Sequence, residues 1–522
     1  MGISNWEVTK RVRIMFLAAI MVCSVLLMIF TDMRKVQYHE DEIMTFLLSN
    51  NETGEKILPP FGKQFDYAKS FDEGMTVAEG QQFQYKQVFM NQMNDVHPPL
   101  YYLIMHTICS LTPGRYSFWY GYVINIVCML LSIMLIYACT AFYFSDERVR
   151  LVVTAFFALC PAQMEILSFV RMYPLAILFF LYFWYWVNKQ LFEEETKLKD
   201  YVLLLLVTVL GALTHYYFIV MAVLFSVAYA LYQLKHRKKK KCITFCATMV
   251  LSAVLAIGIF PAMLFHVFGG YRGVEAFGNA VNLFDFPWRL IVYIDRINRS
   301  VFGYLLLILI IFVVHMFRKS RKNGEVLIAD TLAVRIRYNF WPLLIYMLLV
   351  IKTSAYIEPR YISFAYGPLI ILFFTYFVPA LKKTGKSPRA LYICAIVLTL
   401  ISSFTCHYIY LQAEERESIE AAAQYADLPQ VVVLPQYETW MLNQQYKQLH
   451  DCPDVTLIPI ERMSVLGKTD TSGSDRFIAR ISSYDPTQKG EVVPEQILHM
   501  CPNVSTYTKL YSWKLWDVFL FE

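Results

Sequence analysis

The chain has 522 residues, 57% of them hydrophobic, with a formal net charge of +6 and a positive mean hydropathy. Soluble domains run near ~45–50% apolar and lack repeated apolar runs of ~20 residues, so composition excludes an ordinary soluble protein. The positive charge does not point to nucleic acid: it sits in short clusters between apolar runs, such as Lys235 to Lys241, the pattern of cytoplasmic loops.

Taken in order, the first apolar run, Ile14 to Phe30, follows Lys10, Arg11 and Arg13 and leads into Thr31-Asp32-Met33-Arg34-Lys35. No small-residue cleavage site follows it, so an uncleaved signal anchor with a cytoplasmic N-terminus is expected. Residues 31–97 form a long polar segment on the outer face if that helix crosses. Apolar runs then fall at about 98–112, 116–144, 151–168, 172–188, 201–213, 216–234, 243–265, 301–317, 339–353, 362–380 and 390–407. The run 98–112 is short, opens on Pro98-Pro99 and contains His106, which suits an interfacial helix better than a span. With that choice the loops at 145–150, 189–200, 235–242, 318–338 and 381–389, which hold the main basic clusters, all fall on the cytoplasmic side. The expected fold class is therefore an α-helical polytopic membrane protein with about eleven transmembrane helices over residues 1–407. Residues 31–115 form its first outer loop.

From about residue 408 the character changes. Val431 to Pro435 reads as a buried strand, Tyr437 to Leu449 as a helix, Asp454 to Ile458 as a second strand and Trp513 to Phe521 as a final one. A small extracytoplasmic α/β domain is expected over 408–522. Most of the eleven cysteines lie in apolar runs, where they act as small hydrophobes. Cys452 and Cys501 lie in the polar tail and are candidates for a disulfide if it lies outside the cytoplasm. Asn51-Glu52-Thr53 and Asn503-Val504-Ser505 fit glycosylation sequons.

Titratable residues beside membrane helices are costly to hold there and usually functional. They gather on the predicted outer face: Glu40-Asp41-Glu42, Asp95-Val96-His97, Arg171-Met172-Tyr173, Thr214-His215-Tyr216-Tyr217 and Glu358-Pro359-Arg360-Tyr361. A carboxylate removed from bulk water can act as a general base, and a second one, Asp95, can orient an acceptor or bind a cation. Against this stands a solvated acidic cap after the first helix. Pro98 and Pro99 fix the backbone and hold Asp95 and His97 rigidly. Arg171 and Arg360 either snorkel to headgroups or bind a lipid phosphate bidentately. His215, Tyr216 and Tyr217 can hydrogen-bond a sugar or phosphate, or belong to an aromatic belt.

Asp95-Val96-His97-Pro98-Pro99-Leu100, preceded by Asp41-Glu42 after the first helix, resembles the protein O-mannosyltransferases. More broadly it is similar to the GT-C superfamily of glycosyltransferases, including bacterial lipid A aminoarabinose transferases. Arg171-Met172-Tyr173-Pro174, Thr214-His215-Tyr216-Tyr217 and Pro359-Arg360-Tyr361 are similar to segments of bacterial members. The resemblance covers roughly residues 10–407. It implies sugar transfer outside the cytoplasm, from a polyprenyl-monophosphate donor to a hydroxyl on a lipid, glycan or protein. It maps the catalytic base onto Asp41 and a second catalytic carboxylate onto Asp95. Glu42, His97, Arg171, Tyr173, His215, Tyr216, Arg360 and Tyr361 are then the expected substrate-binding residues. No cofactor is obligatory, although a divalent cation is compatible with the acidic residues. The loop at about 266–300 is too short for the β-trefoil of eukaryotic mannosyltransferases, which argues against a protein acceptor, and the α/β tail points toward bacterial relatives and a bacterial plasma-membrane setting. The alternative function is a transporter or lipid flippase; the absence of internal repeats and the one-sided placement of polar groups weigh against it.

Overall fold

A computed structural model describes residues 9–54, 56–57, 59–282, 284–385, 389–484 and 494–522. Residues 386–388 of the 381–389 loop and 485–493 of the tail lie outside the described residues. The chain divides into two compact units. One comprises Met1–Met33, Asp95–Tyr101 and Gly121–Tyr408, and the other Arg34–Asn94, Tyr102–Tyr120 and Ile409–Glu522. The outer-loop segment 34–94 thus shares a unit with the tail.

The first unit is helical, and the protein is a multi-pass integral membrane protein. Among the described residues six helices are long and apolar enough to cross a bilayer, or up to nine if each of three bent pairs is one span. The bent pairs are Glu147–Ala158 with Pro161–Leu167, Phe286–Phe302 with Leu306–Lys322, and Arg389–Thr405 with Ile409–Ala423. Of the expected spans, 172–188 and 201–213 fall outside this set. They form helices Tyr173–Gln190 and Leu198–Ala212. The second has 15 residues and is about 22 Å long, short of a ~30 Å hydrocarbon core. The first is rich in Tyr and Trp and ends on Asn188-Lys189-Gln190. Its far end is buried and polar: Asn188 accepts from Tyr143 Oη at 2.9 Å, and Trp184 Nε1 donates to Asn339 at 2.6 Å. The run 98–112 forms the short helix Leu100–Ser110.

The second unit is built on a six-stranded sheet. Its strands are β1 (Gln64–Phe65), β2 (Gln430–Leu434), β3 (Val455–Pro459), β4 (Phe477–Ser482), β5 (Tyr507–Trp513) and β6 (Trp516–Phe521). The order is β1-β3-β2-β4-β6-β5, with β3, β2 and β4 parallel and the remaining pairs antiparallel. Strands covered on both faces read as continuous apolar runs, and β2 is buried at every position. Between β2 and β3 the chain forms a 3₁₀ helix, Thr439–Gln445, and the α-helical turn Tyr446–Leu449. One face of the sheet packs Val431, Val433, Ile458, Phe477, Ala479 and Phe521 with Ile497 and Cys501.

The other face carries Ile478, Val518 and Leu520. Arg480 lies there fully buried, its guanidinium donating to Gln430 at 3.2 Å and Gln445 at 3.1 Å. This alternation corrects the disulfide expectation. Cys501 belongs to the first face, whereas Cys452 donates its thiol to Gln448 O at 3.6 Å beside Arg480 on the second. Both thiols are free, and burial pushes each up to about 11.

Candidate active site

In the sheet-bearing unit, His39 caps helix Glu40–Asn50, its Nδ1 accepting from Asp41 N at 3.1 Å. Glu42 closes the reciprocal bond, its Oε2 accepting from His39 N at 2.9 Å. Three carboxylates in the first turn complement the positive end of the helix dipole, but they are not equivalent. Glu42 is fully buried, and its Oε1 lies 2.6 Å from Lys35 Nζ. The side chains of Glu40 and Asp41 stay 24% and 22% exposed, each with an oxygen 3.9 Å from His39 Nδ1. The structure therefore gives Glu42 an anchoring place and leaves Asp41 at the accessible edge of the turn. Helix geometry requires such a split, because three adjacent residues cannot share one face.

In the helical unit, four separate segments converge. Leu100 N donates to Leu213 O at 2.9 Å, tying the Asp95–Tyr101 stretch to the turn before His215. Asn125, fully buried, donates to Leu167 O at 2.9 Å and Phe169 O at 3.0 Å, fixing the backbone just ahead of Arg171. Gly121 permits that approach: a Cβ there would meet Val170 Cγ1 at 2.0 Å. Gly211 likewise makes room for the Phe218 ring, which a Cβ would meet at 2.5 Å. Tyr346 Oη donates to Tyr361 O at 2.7 Å and holds the Pro359–Ile362 turn.

These supports bring together Asp95, His97, Arg171, Tyr173, His215, Arg360 and Tyr361. Asp95 Oδ2 lies 2.8 Å from His97 Nδ1, and His97 Nε2 lies 3.5 Å from Arg171 Nη2. A guanidinium can only donate, so Nε2 accepts and the His97 proton sits on Nδ1, directed at Asp95. His215 packs against Tyr173 at 4.9 Å between ring centroids and stands 6.3 Å from His97. Arg360 lies over the rings of Phe169 at 5.3 Å and Tyr361 at 5.2 Å. Glu358 Oε2 is 3.8 Å from Arg360 Nε. Arg171 and Arg360 are only 3% and 5% exposed. The Tyr216 hydroxyl lies 2.7 Å from His266 Nδ1.

Burial alone would raise the Asp95 pKa, but His97 and then Arg171 outweigh it and hold the carboxyl below its ordinary value. His215 is driven well below the usual histidine range, first by burial and then by its neighbours His97, Arg171 and Arg360. The cluster thus holds an ionised carboxylate, a neutral histidine and two buried guanidiniums. Among the described residues no three His, Cys, Asp or Glu side chains form a group that could hold a metal.

Sequence reasoning passed over Lys35, which reads there as part of a basic flank, and over Phe169, which is hidden in an apolar run. Glu358 directly precedes Pro359-Arg360-Tyr361, and nothing in the sequence assigns it a role. His39 was legible in hindsight, since His39 and Glu42 occupy the Ncap and N3 positions of a capping box.

Residues 96–260 match the family model described as dolichyl-phosphate-mannose-protein mannosyltransferase. The sequence matches none of the curated proteins. The fold is similar to that of ArnT from Cupriavidus metallidurans bound to undecaprenyl phosphate, with a TM-score of 0.52 at 10% identity, covering 96% of this chain and 97% of that one. The apo state of the same ArnT aligns at a TM-score of 0.44 and 11% identity, over 91% and 95% of the two chains. The Archaeoglobus fulgidus oligosaccharyltransferase aligns at 0.39 and 9% identity, over 85% and 64%. The chain resembles the GT-C superfamily of glycosyltransferases, with a mannosyltransferase-like segment that spans the His97, Arg171 and His215 motifs.

Proposed function

We propose that this protein is a membrane glycosyltransferase that moves a sugar from a polyprenyl-monophosphate donor to a hydroxyl acceptor on the extracytoplasmic face. The observation that carries this reading is the pair of guanidiniums, Arg171 and Arg360, both buried in one cluster with neutral His215. Burying two cations is costly, and Asp95 and Glu358 are the carboxylates found beside them. An anion brought by the substrate offsets that cost, and a phosphate matches the fork of a guanidinium. The likeness to a fold seen with undecaprenyl phosphate supports a lipid-linked donor.

In this reading Asp41 accepts the acceptor's hydroxyl proton as the oxygen attacks the anomeric carbon. The new oxygen–carbon bond forms on the face opposite the breaking carbon–oxygen bond, so the anomeric configuration inverts. The bonding pair leaves with the lipid phosphate, whose added negative charge Arg171 and Arg360 stabilise. His97 orients Asp95, and Tyr173 and Tyr361 flank the cationic cluster. The leaving group is a phosphomonoester, so the guanidiniums suffice and a metal is not obligatory.

The test is transfer of labelled sugar from membrane polyprenyl phosphates by the parent and by Asp41→Asn at equal expression. Transfer by the parent and its loss in the variant is the expected result. Consumption of no lipid-linked sugar by the parent overturns the reading, and a product of retained configuration overturns direct displacement.

A further inference from the structure

The parallel strands β3, β2 and β4 all end on one edge of the sheet. There the chain leaves the neighbours β2 and β4 in opposite directions, from β2 across to β3 and from β4 toward β5 and β6. In open α/β sheets such a reversal opens a crevice at the carboxyl ends of the strands, and ligands bind in it.

The residues on this edge share a chemistry. Tyr437, just past β2, is 76% exposed. Trp440 from the β2 side and Tyr484 from the β4 side face each other with ring centroids 6.5 Å apart at 70°. Glu438 accepts from Trp440 Nε1. Glu461, just past β3, accepts from Gln436 N at 3.0 Å. In the 3₁₀ helix Thr439–Gln445, residues three apart eclipse one another, so Asn443 lies on the face of Trp440. Asn443 is 1% exposed, and neither its amide oxygen nor its amide nitrogen has a hydrogen-bond partner among the described residues. A buried amide in that state is rare in folded proteins and calls for an explanation.

Exposed aromatic faces, carboxylates and an amide with free bonding capacity are what a pyranose needs. Its C–H faces pack on rings, and its hydroxyls bond carboxylate and amide groups. The two glutamates disfavour an anionic ligand. We propose that this crevice is a neutral-saccharide subsite that captures the acceptor glycan; its role as acceptor site rests on the transferase reading, whereas saccharide binding itself does not.

The experiment uses the full-length protein in lipid nanodiscs, titrated calorimetrically with neutral hexasaccharides of glucose, mannose or N-acetylglucosamine. At least one is expected to bind. Tyr437→Ala and Trp440→Ala are each expected to weaken that binding at least tenfold, with an unchanged unfolding temperature for the exposed Tyr437. Absence of binding to all three by the parent overturns the subsite, as does binding unaltered in both variants. A parent that binds a hexasaccharide yet transfers no sugar from any polyprenyl phosphate keeps the subsite and removes the transferase reading. A parent that transfers sugar but binds no hexasaccharide does the reverse.

Discussion

His97 holds Asp95: Nδ1 lies 2.8 Å from Oδ2 across two residues that Pro98 and Pro99 terminate rigidly. The ring spans the gap to Arg171, in the bend between helices Pro161–Leu167 and Tyr173–Gln190, so one imidazole aligns both an acidic and a basic group. Replacing His97 by Ala should lower transfer from a polyprenyl-phosphate sugar by about tenfold or more, a loss of about 1.4 kcal/mol in the transition state. His97→Asn, which keeps a donor near Asp95, should recover part of it. Steady-state rates of the two variants decide the point, and equal rates for parent and His97→Ala would remove the orienting role.

Arg171 and Arg360 should not tolerate lysine. A hydrogen bond to a charged group contributes ~1.5–3 kcal/mol, and an ammonium lacks the planar fork. Arg171→Lys and Arg360→Lys are each expected to weaken binding of polyprenyl phosphate by roughly ten- to a hundredfold. Direct binding of the lipid phosphate reads this without requiring turnover.

The depressed pKa of His215 makes a stability prediction with a definite sign. The unfolded chain takes up the proton near pH 6.5, while the folded protein resists it to lower pH. Between those two values the unfolded state binds more protons, so stability is fully present above about pH 6.5 and declines as pH falls toward the folded value. The parent should therefore melt at a lower temperature at pH 5 than at pH 7.5. His215→Gln should narrow that difference, and an identical difference in the variant would sink the assignment.

Lys35 and Glu42 form a buried pair, 3% and 0% exposed. Removing one partner strands the other charge, which typically costs ~3–5 kcal/mol. Lys35→Met should accordingly destabilise the protein strongly and lower transfer by disturbing the turn that carries Asp41. The double variant Lys35→Met with Glu42→Gln should recover stability, because no buried charge is left uncompensated. Thermal unfolding of the two variants separates these outcomes.

Gly121 offers a steric test. A methyl there would meet Val170 Cγ1 at 2.0 Å, so the loop carrying Arg171 must shift. Gly121→Ala should cost on the order of 1–3 kcal/mol and reduce lipid-phosphate binding. Gly278→Ala, with nothing within 4 Å, is the matched control and should leave that binding unchanged.

The sequence alone determined the membrane class, because apolar runs, basic flanks and hydropathy are local quantities that a bilayer reads directly. It also picked out Asp95, His97, Arg171, His215, Arg360 and Tyr361, since charged and aromatic residues interrupting apolar runs are conspicuous wherever they fold. Tertiary structure decided what those residues touch. Asp41 and Glu42 are neighbours of like charge, and only packing made one a buried partner of Lys35 and the other an accessible carboxylate. Cys452 and Cys501 looked like a pair until the sheet placed them on opposite faces. The segment 34–94 joined the tail's unit, with the two-residue strand β1 pairing Gln64 with Thr456. Two residues carry no periodicity to read. Pairing across nearly four hundred positions is a property of the whole core, where each strand goes to the edge that buries it.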